Sequence, residues 1–479
     1  MDLPSDSNSS TLSTKERTAI RLIPFIVGCA LFMQMLDATV VATALPAMAI
    51  ALETTPVRMN VTITSYLLAL AVFVPISGWA ADRFGAQRVF IAAISLFSLS
   101  SVACALSQSL AQLVAARLVQ GMAGAMMVPV GRIILLRKTP KTELLRAMAF
   151  LSMPALLGPV IGPPLGGFLV TYASWHWIFL INVPVGLIGI YLIVRFIPKD
   201  TPENPPRLDW LGFLLSGASL ATFVWGFESI GNQEGYFGLT LLLITSGIVS
   251  GALYLVHAKR VPQPIVDLSL LRVPTFAISV LGGNLCRFSA GAMPFLLALL
   301  LQIDFGYSPF VAGLITFTSA AGALTMKVVA TRIVGFFGFK RVLTFNALLA
   351  GGFIAICGLF QINTPIWLII TILATGGIVR SLQFTAVNTL TYADLGSEAM
   401  SRASTFASMA QQLAISLGVG TAALVVNLSM AWRGAETVAR ADVFWAFLAI
   451  GGLTAASTFS FARLPSEVAA HLRKNAASG

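Results

Sequence analysis

The chain has 479 residues, of which 57% are hydrophobic and only 10% are charged, and its formal net charge is +11. A soluble protein carries about 25% charged residues, so this composition excludes an ordinary soluble enzyme and indicates a chain embedded in lipid. A basic surplus in a soluble protein would suggest nucleic-acid binding, but the placement of the charges along this chain indicates membrane topology instead.

Fourteen mostly apolar segments follow a polar tail, and each is long enough to cross a bilayer, which takes about 20 helical residues. The tail shows no cleavable signal peptide. The sequence therefore predicts an all-α integral membrane protein with no nucleic-acid partner. The segments lie near 22–48, 60–81, 88–108, 110–136, 144–172, 175–197, 208–229, 236–257, 274–301, 309–331, 341–361, 364–391, 403–428 and 442–462.

Lysine and arginine residues outside these segments fall almost entirely in alternate loops, and only Arg58, Arg433 and Arg440 lie on the other side. Because basic loops stay in the cytoplasm, the pattern predicts an inner-membrane protein with both termini cytoplasmic. An even number of spans is then required, which agrees with fourteen.

Two proline-rich polar stretches, 198–209 and 257–273, divide the spans into six, two and six. The predicted organisation is a tail at 1–20, a six-helix bundle at 21–200, two additional helices at 201–262, a second six-helix bundle at 263–465 and a tail at 466–479. A short repeat, ADRFGAQRV at 81–89 and GFFGFKRV at 335–342, indicates duplicated halves that rock around a central site.

The turn between the second and third spans reads GWAADRFGAQR over 78–88. Gly78 and Gly85 permit a tight turn and close helix approach, and Asp82 can accept from a helix N-terminus or pair with a base. Arg83 and Arg88 complete the pattern. The alternative is a charged turn that only obeys the topology rule.

Asp37 in the first span and Arg117 in the fourth lie at similar depths in the membrane. An intramembrane ionisable residue usually faces the bundle interior and has a partner, so the sequence predicts that these two side chains pair. Either Asp37 takes up and releases a transported proton, or the pair is permanent and only fixes helix packing. Gln34 is a candidate for further polar support of Asp37.

The fifth span carries GPVIGPPLGG over 158–167. Its glycines allow another helix to approach closely, and its prolines bend the helix by removing backbone donors. Both a gating role and ordinary tight packing fit this pattern. The residues concerned are Gly158, Pro159, Gly162, Pro163, Gly166 and Gly167.

Four further cations lie within spans. Arg132 and Lys327 are near cytoplasmic ends, where long side chains can reach the interface. Arg287 and Arg380 are near the midplane, and no carboxylate in spans 9–14 is available to neutralise them. Guanidinium groups suit carboxylate or phosphate, so these cations favour an organic anion such as citrate or metal-citrate. The predicted substrate cavity comprises Arg287, Arg380, Arg132, Lys327, Asn284, Gln383, Asn388 and Gln34.

Cysteines lie singly inside apolar runs and the three histidines are scattered, so we expect no metal site, no cofactor and no catalytic centre. A glycine-rich phosphate loop of the kind that an ATP-driven pump needs is also absent from the sequence.

Five motifs resemble those of the major facilitator superfamily. The 78–88 turn resembles its signature between the second and third helices, with Gln87 where a basic residue is usual. ARLVQG at 116–121, which ends in Gly121, resembles its intramembrane arginine motif, and the 158–167 segment resembles the antiporter motif of its exporters. LDATVVATALP at 36–46, with Ala42 where asparagine is usual, and WHWIFLINVP at 175–184 are similar to the fourteen-helix drug:proton antiporters, closest to the EmrB/QacA-like, MdtD-type branch.

The resemblance implies a major facilitator fold of two six-helix bundles plus two additional helices. It also implies a monomeric proton-coupled efflux transporter of the multidrug type, whose partners are small molecules, protons and the lipid bilayer. The cationic midplane keeps organic-anion export open as the alternative, and a non-transporting membrane sensor is the remote one.

Overall fold

The computed structural model describes residues 14–138, 144–197, 199, 207–230, 237–262, 264–395 and 399–465. This part of the chain forms fourteen helical spans and contains no strand, so the all-α prediction is confirmed. The spans are α1 (Thr14–Ala51), α2 (Arg58–Phe84), α3 (Ala86–Ala105), α4 (Leu110–Lys138), α5 (Leu144–Tyr172), α6 (Trp177–Phe196), α7 (Trp210–Ile230), α8 (Phe237–Ala258), α9 (Pro274–Ala298), α10 (Pro309–Phe337), α11 (Phe339–Cys357), α12 (Ile366–Tyr392), α13 (Met400–Arg433) and α14 (Arg440–Phe461).

Thirteen of these spans contain a described stretch that is apolar and long enough to cross a membrane. The remaining one, α5, is a helix of 29 residues, and its side chains before 157 lie outside the described set. Its bounds coincide with the predicted fifth span at 144–172. The predicted tails at 1–20 and 466–479 lie almost wholly outside the described residues.

Two glycines mark equivalent turns in the two halves of the chain. Gly85 separates α2 from α3 with φ +89°, and Gly338 separates α10 from α11 with φ +81°. Both conformations favour glycine, which lacks a Cβ. The repeat between 81–89 and 335–342 therefore extends from the sequence to the backbone conformation.

These two turns define what we call the basic end of the bundle, because Arg83, Arg88, Lys340 and Arg341 lie in or beside them. An even number of crossings returns the chain to the end at which it starts. In agreement, α14 finishes beside the start of α11, where Thr458 Oγ1 donates to the Thr344 carbonyl at 3.0 Å.

Direct contacts join the first six and last six helices near the opposite end. The Phe310 amide at the start of α10 donates to Thr171 Oγ1 at the end of α5, at 3.1 Å. Gln302 Nε2, just after α9, donates to the Thr43 carbonyl of α1 at 2.9 Å. These contacts hold the halves together on this side.

Helices α7 and α8 form a pair at the periphery. Ser219 Oγ of α7 donates to the Gly247 carbonyl of α8 at 2.8 Å, and Phe213 of α7 packs edge-on against Phe73 of α2. Large apolar side chains on α8, such as Leu242 at 63% exposure, face outward, as expected where lipid replaces water.

Candidate transport site

Asp37 of α1 and Arg117 of α4 form an ion pair inside the first six-helix group. Arg117 Nη1 lies 2.5 Å from Asp37 Oδ2, and the side chains are 0% and 1% exposed. The two residues that the sequence placed at equal depth are thus in direct contact. A buried ion pair needs further hydrogen bonds to offset the loss of water.

Those hydrogen bonds come from two other side chains, which share a third as a partner. Gln120 Nε2 and Asn182 Nδ2 donate to Asp37 Oδ1 at 3.0 and 3.1 Å. Both amides also donate to Ser101 Oγ, at 2.8 and 3.2 Å, and Gln120 Oε1 accepts from Arg117 Nη1 at 2.6 Å. Side chains from α4 and α6 therefore bind the Asp37 carboxylate of α1, and Ser101 of α3 holds both amides.

Gln34 does not support Asp37, which corrects the sequence-based expectation. Its Oε1 atom has no hydrogen-bond partner among the described residues, and the side chain borders the central cavity instead. The carboxylate receives its amide hydrogen bonds instead from Gln120 of α4 and Asn182 of α6.

The rest of the Arg117 side chain packs against α2. Its Nε donates to the Thr62 carbonyl at 3.1 Å, and its guanidinium carbon lies 4.1 Å from the centre of the Tyr66 ring, a cation–π distance. A Cβ on Gly121, one turn further along α4, would overlap the Tyr66 carbonyl. The glycine thus lets α4 approach α2 closely enough for these contacts.

The glycines of α5 pack against the helix that carries Asp37. A Cβ on Gly158 would lie 2.6 Å from Met35 Cβ, one on Gly162 would overlap Thr39 Oγ1, and one on Gly166 would lie 2.9 Å from Val40 Cγ1. Gly167 instead meets the Pro309 carbonyl of α10. One helix therefore contacts both halves, while its Pro159 and Pro163 border the cavity.

The two glycines of the 78–88 turn differ in backbone conformation and in surroundings. Gly85 has the positive φ described above, whereas a Cβ on Gly78 would meet nothing within 4 Å, so the expected close approach at Gly78 is wrong. Arg83 and Arg88 are exposed, and Asp82 is half-buried.

Gln87, the departure from the usual basic residue, has a structural role. Its side chain is 5% exposed, and Nε2 donates to the Ile197 carbonyl at 2.7 Å. It therefore satisfies a carbonyl at the end of α6 and holds that end against the start of α3.

A cavity of about 480 Å³ lies between the two halves, within the range of small-molecule sites. Most of its lining is apolar, and none of its described lining residues comes from α7 or α8. It reaches Asn388, which is exposed one turn before the end of α12 at the basic end. Since the halves are in contact near the other end, the cavity opens toward the basic end.

Three cations border this cavity, Arg117, Lys327 and Arg380, and no Asp or Glu stands among its described lining residues. Arg380 donates to Ser319 Oγ, and Lys327 is exposed. Neither Arg380 nor Lys327 forms an ion pair with the described residues, so the second half supplies uncompensated positive charge.

Arg287 and Asn284 stand one layer behind the cavity wall. Arg287 Nη2 donates to Asn388 Oδ1 at 2.5 Å, and Nη1 to Asn284 Oδ1 at 3.5 Å. Asn388 itself borders the cavity, but Arg287 and Asn284 do not. Arg287 therefore acts on the cavity through Asn388.

Two predicted cavity residues lie elsewhere. Gln383 is 1% exposed, accepts from Asn346 Nδ2 at 2.9 Å and donates to the Leu343 carbonyl at 3.2 Å, so it joins α12 to α11. Arg132 is exposed and does not border the cavity. Nearness in sequence to a cavity residue does not fix which helix face a side chain occupies.

Sequence reasoning missed Ser101, Gln120, Asn182 and Tyr66 as site residues. Gln120 could have been found, because it lies three residues after Arg117 and therefore on the same helix face. The other three belong to other helices, and only the packed bundle brings them together.

Comparisons with known proteins agree with this architecture. The family model of the Major Facilitator Superfamily matches residues 27–419. A protein of Pectobacterium atrosepticum with the provisional name multidrug resistance protein MdtD is 39% identical over 451 residues, covering 93% of this chain and 96% of that protein. Its namesake in Pectobacterium carotovorum is 41% identical over 412 residues, covering 86% and 88%.

Among solved structures, the POT family transporter PepTSo superposes with a TM-score of 0.67 at 12% identity, covering 96% of this chain and 98% of that one. At this identity the likeness shows the fold alone. The family match and the relatives along nearly the whole chain establish that the protein belongs to the Major Facilitator Superfamily of multi-pass membrane transporters.

Proposed function

We propose that the protein is a proton-coupled antiporter that exports small organic solutes across the inner membrane. The observation that carries the proposal is the buried Asp37 carboxylate, held by Arg117 directly beside the cavity. Buried carboxylates in transporters mark proton pathways. The arginine that pairs with Asp37 also borders the cavity.

Orientation follows from the loop charges. We place the basic end, with both termini, in the cytoplasm. The cavity then faces the cytoplasm, and the contacts of Phe310 with Thr171 and of Gln302 with Thr43 close the outer side. A solute from the cytoplasm enters in this state.

Protonation supplies the switch. When Asp37 is charged, its attraction to Arg117 holds α1 against α4; when it is neutral, that attraction is lost. Because α5 packs on α1 through Gly158 and Gly162 and on α10 through Gly167, a change at α1 is passed to the contact between the halves. Alternating access then follows from rocking of the two halves.

The apolar lining supports a broad range of apolar solutes. The relatives from Pectobacterium bear a multidrug resistance name, and we extend that class to this chain. Ile63, Leu67, Leu297 and Phe384 are representative of the lining, and such surfaces bind through shape and apolar contact rather than fixed hydrogen bonds.

The experiment is transport by the purified protein in liposomes, with rhodamine 6G, an apolar dye that carries an ester carbonyl, as the probe and an imposed pH gradient. We expect movement of the dye against its own gradient, and we expect nigericin, which collapses the pH gradient, to abolish it. Dye accumulation that persists after nigericin would contradict proton coupling.

Organic-anion export is a second candidate, including citrate or metal-citrate. The specific observation in its favour is the pair of cavity cations, Arg380 and Lys327, with no carboxylate among the described lining residues. Such a wall attracts anions and repels cations. Labelled citrate in the same liposomes separates the candidates, because only an anion exporter moves it.

A further inference from the structure

Three residues that border the cavity each carry a buried polar atom with no hydrogen-bond partner among the described residues: Arg117 Nη2, the Tyr66 hydroxyl and Gln34 Oε1. The three residues are 0%, 1% and 3% exposed. Buried polar atoms are nearly always paired, so three unpaired ones around one cavity call for an explanation.

The guanidinium of Arg117 shows how specific the arrangement is. Its Nη1 donates to Asp37 and Gln120, and its Nε donates to the Thr62 carbonyl. Nη2 is the nitrogen of this guanidinium that has no hydrogen-bond partner among the described residues. The same side chain stacks on Tyr66, whose hydroxyl is the second donor without a partner and lies near Gln34 of α1 and Gly124 of α4.

The geometry points to a subsite, formed by Arg117 Nη2 and the Tyr66 hydroxyl, that binds a hydrogen-bond-accepting oxygen of the transported solute. It rests on the proposal that this cavity is the transport path. Two donors can converge on one oxygen, either of a carboxylate or of a neutral carbonyl. A cation without an acceptor oxygen cannot satisfy them.

The subsite gives the cavity two unlike polar ends. Arg380 and Lys327 belong to the second half of the chain, whereas Arg117 and Tyr66 belong to the first, and the lining is otherwise mostly apolar. The expected solute has an apolar body and an oxygen acceptor that reaches α2 and α4. That acceptor contacts the arginine that also holds Asp37.

Removal of the Tyr66 hydroxyl tests the subsite without any solute. Tyr66→Phe keeps the ring on Arg117 and removes a buried hydroxyl that has no partner, so the melting temperature of the purified protein should be unchanged or higher. Tyr254→Phe is the matched control, because the Tyr254 hydroxyl donates to the Val266 carbonyl at 2.8 Å and accepts from its amide at 2.9 Å. The control should melt at a lower temperature.

Binding is then measured by thermal shift with three probes that share one apolar body: naphthoate, naphthamide and naphthylmethylammonium. We expect the oxygen-bearing probes to stabilise the wild type and the ammonium probe not to. Response to both oxygen-bearing probes shows that a neutral carbonyl suffices, and response to naphthoate alone shows that the acceptor must be charged. Tyr66→Phe should weaken that binding about threefold to tenfold, the range of one hydrogen bond.

Three results would overturn the inference. These are a Tyr66→Phe protein that melts as low as Tyr254→Phe, equal stabilisation by the ammonium probe, and no response of the wild type to either oxygen-bearing probe. None of these measurements uses a proton gradient, so they succeed or fail independently of proton coupling.

Discussion

The guanidinium of Arg117 lies 2.5 Å from the carboxylate of Asp37, and neither side chain is more than 1% exposed. The two residues are on different helices, α1 and α4, and their contact lies beside the cavity that Arg117 borders. Charge on Asp37 is therefore linked both to helix packing and to the transport path.

Loss of one partner should leave a buried, uncompensated charge. We expect Arg117→Leu to lower the free energy of unfolding by about 3–5 kcal/mol, measured by denaturation in detergent. Asp37→Asn in the same chain removes the orphaned charge, so the double variant should recover most of that loss. A double variant as unstable as Arg117→Leu alone would show that the two side chains are not energetically coupled.

The packing of α5 on α1 should tolerate no added methyl group. Gly162→Ala would overlap Thr39 Oγ1, and forced overpacking costs about 1–3 kcal/mol, so we expect a lower melting temperature and reduced transport. Gly452→Ala is the control, because a Cβ there meets nothing within 4 Å. Equal behaviour of the two variants would contradict close packing of α5 on α1.

The equivalent turns at Gly85 and Gly338 should respond alike. Alanine at either position must adopt a positive φ, at a cost of about 1–2 kcal/mol, and we expect both variants to lose that amount in unfolding measurements. Gly352→Ala, a helical position with open space around its Cβ, should instead be neutral or stabilising. A loss at only one of the two turns would speak against their equivalence.

The cavity cations should decide between solute classes. If organic anions are exported, Arg380→Ala should reduce citrate transport roughly 10-fold or more, since a hydrogen bond to a charged group contributes about 1.5–3 kcal/mol. Arg132→Ala is the matched control, because Arg132 lies outside the cavity. Citrate transport that survives Arg380→Ala at the control level would exclude a role for Arg380 in anion binding.

Much of the architecture could be predicted because lipid imposes it. Span length and the alternation of basic loops yield fourteen helices, and the depth of Asp37 and Arg117 within their spans anticipates their contact. Span length, loop charge and residue depth depend only on position along the chain, and that position can be counted directly from the sequence.

The rotation of each helix about its axis, which decides the side chains that face the cavity, could not be predicted from the sequence. Gln34, Arg132 and Gln383 were all expected at the site from their position along a span, yet Gln34 faces the cavity rather than Asp37, Arg132 faces outward and Gln383 faces α11. Asn182 and Ser101 were overlooked for the same reason. Apolar residues surround these helices on all sides, so hydrophobic periodicity does not mark the inner face.

Proton coupling through Asp37 is tested most directly by measuring two fluxes of Asp37→Asn in liposomes with rhodamine 6G as the probe. One is uptake driven by a pH gradient, and the other is exchange of labelled for unlabelled dye without a gradient. We expect Asp37→Asn to retain exchange, because asparagine is the neutral analogue of the protonated carboxyl that the transport cycle itself passes through, and to lose gradient-driven uptake. Gradient-driven uptake at the wild-type level in Asp37→Asn would contradict the proposal that this carboxylate carries the proton.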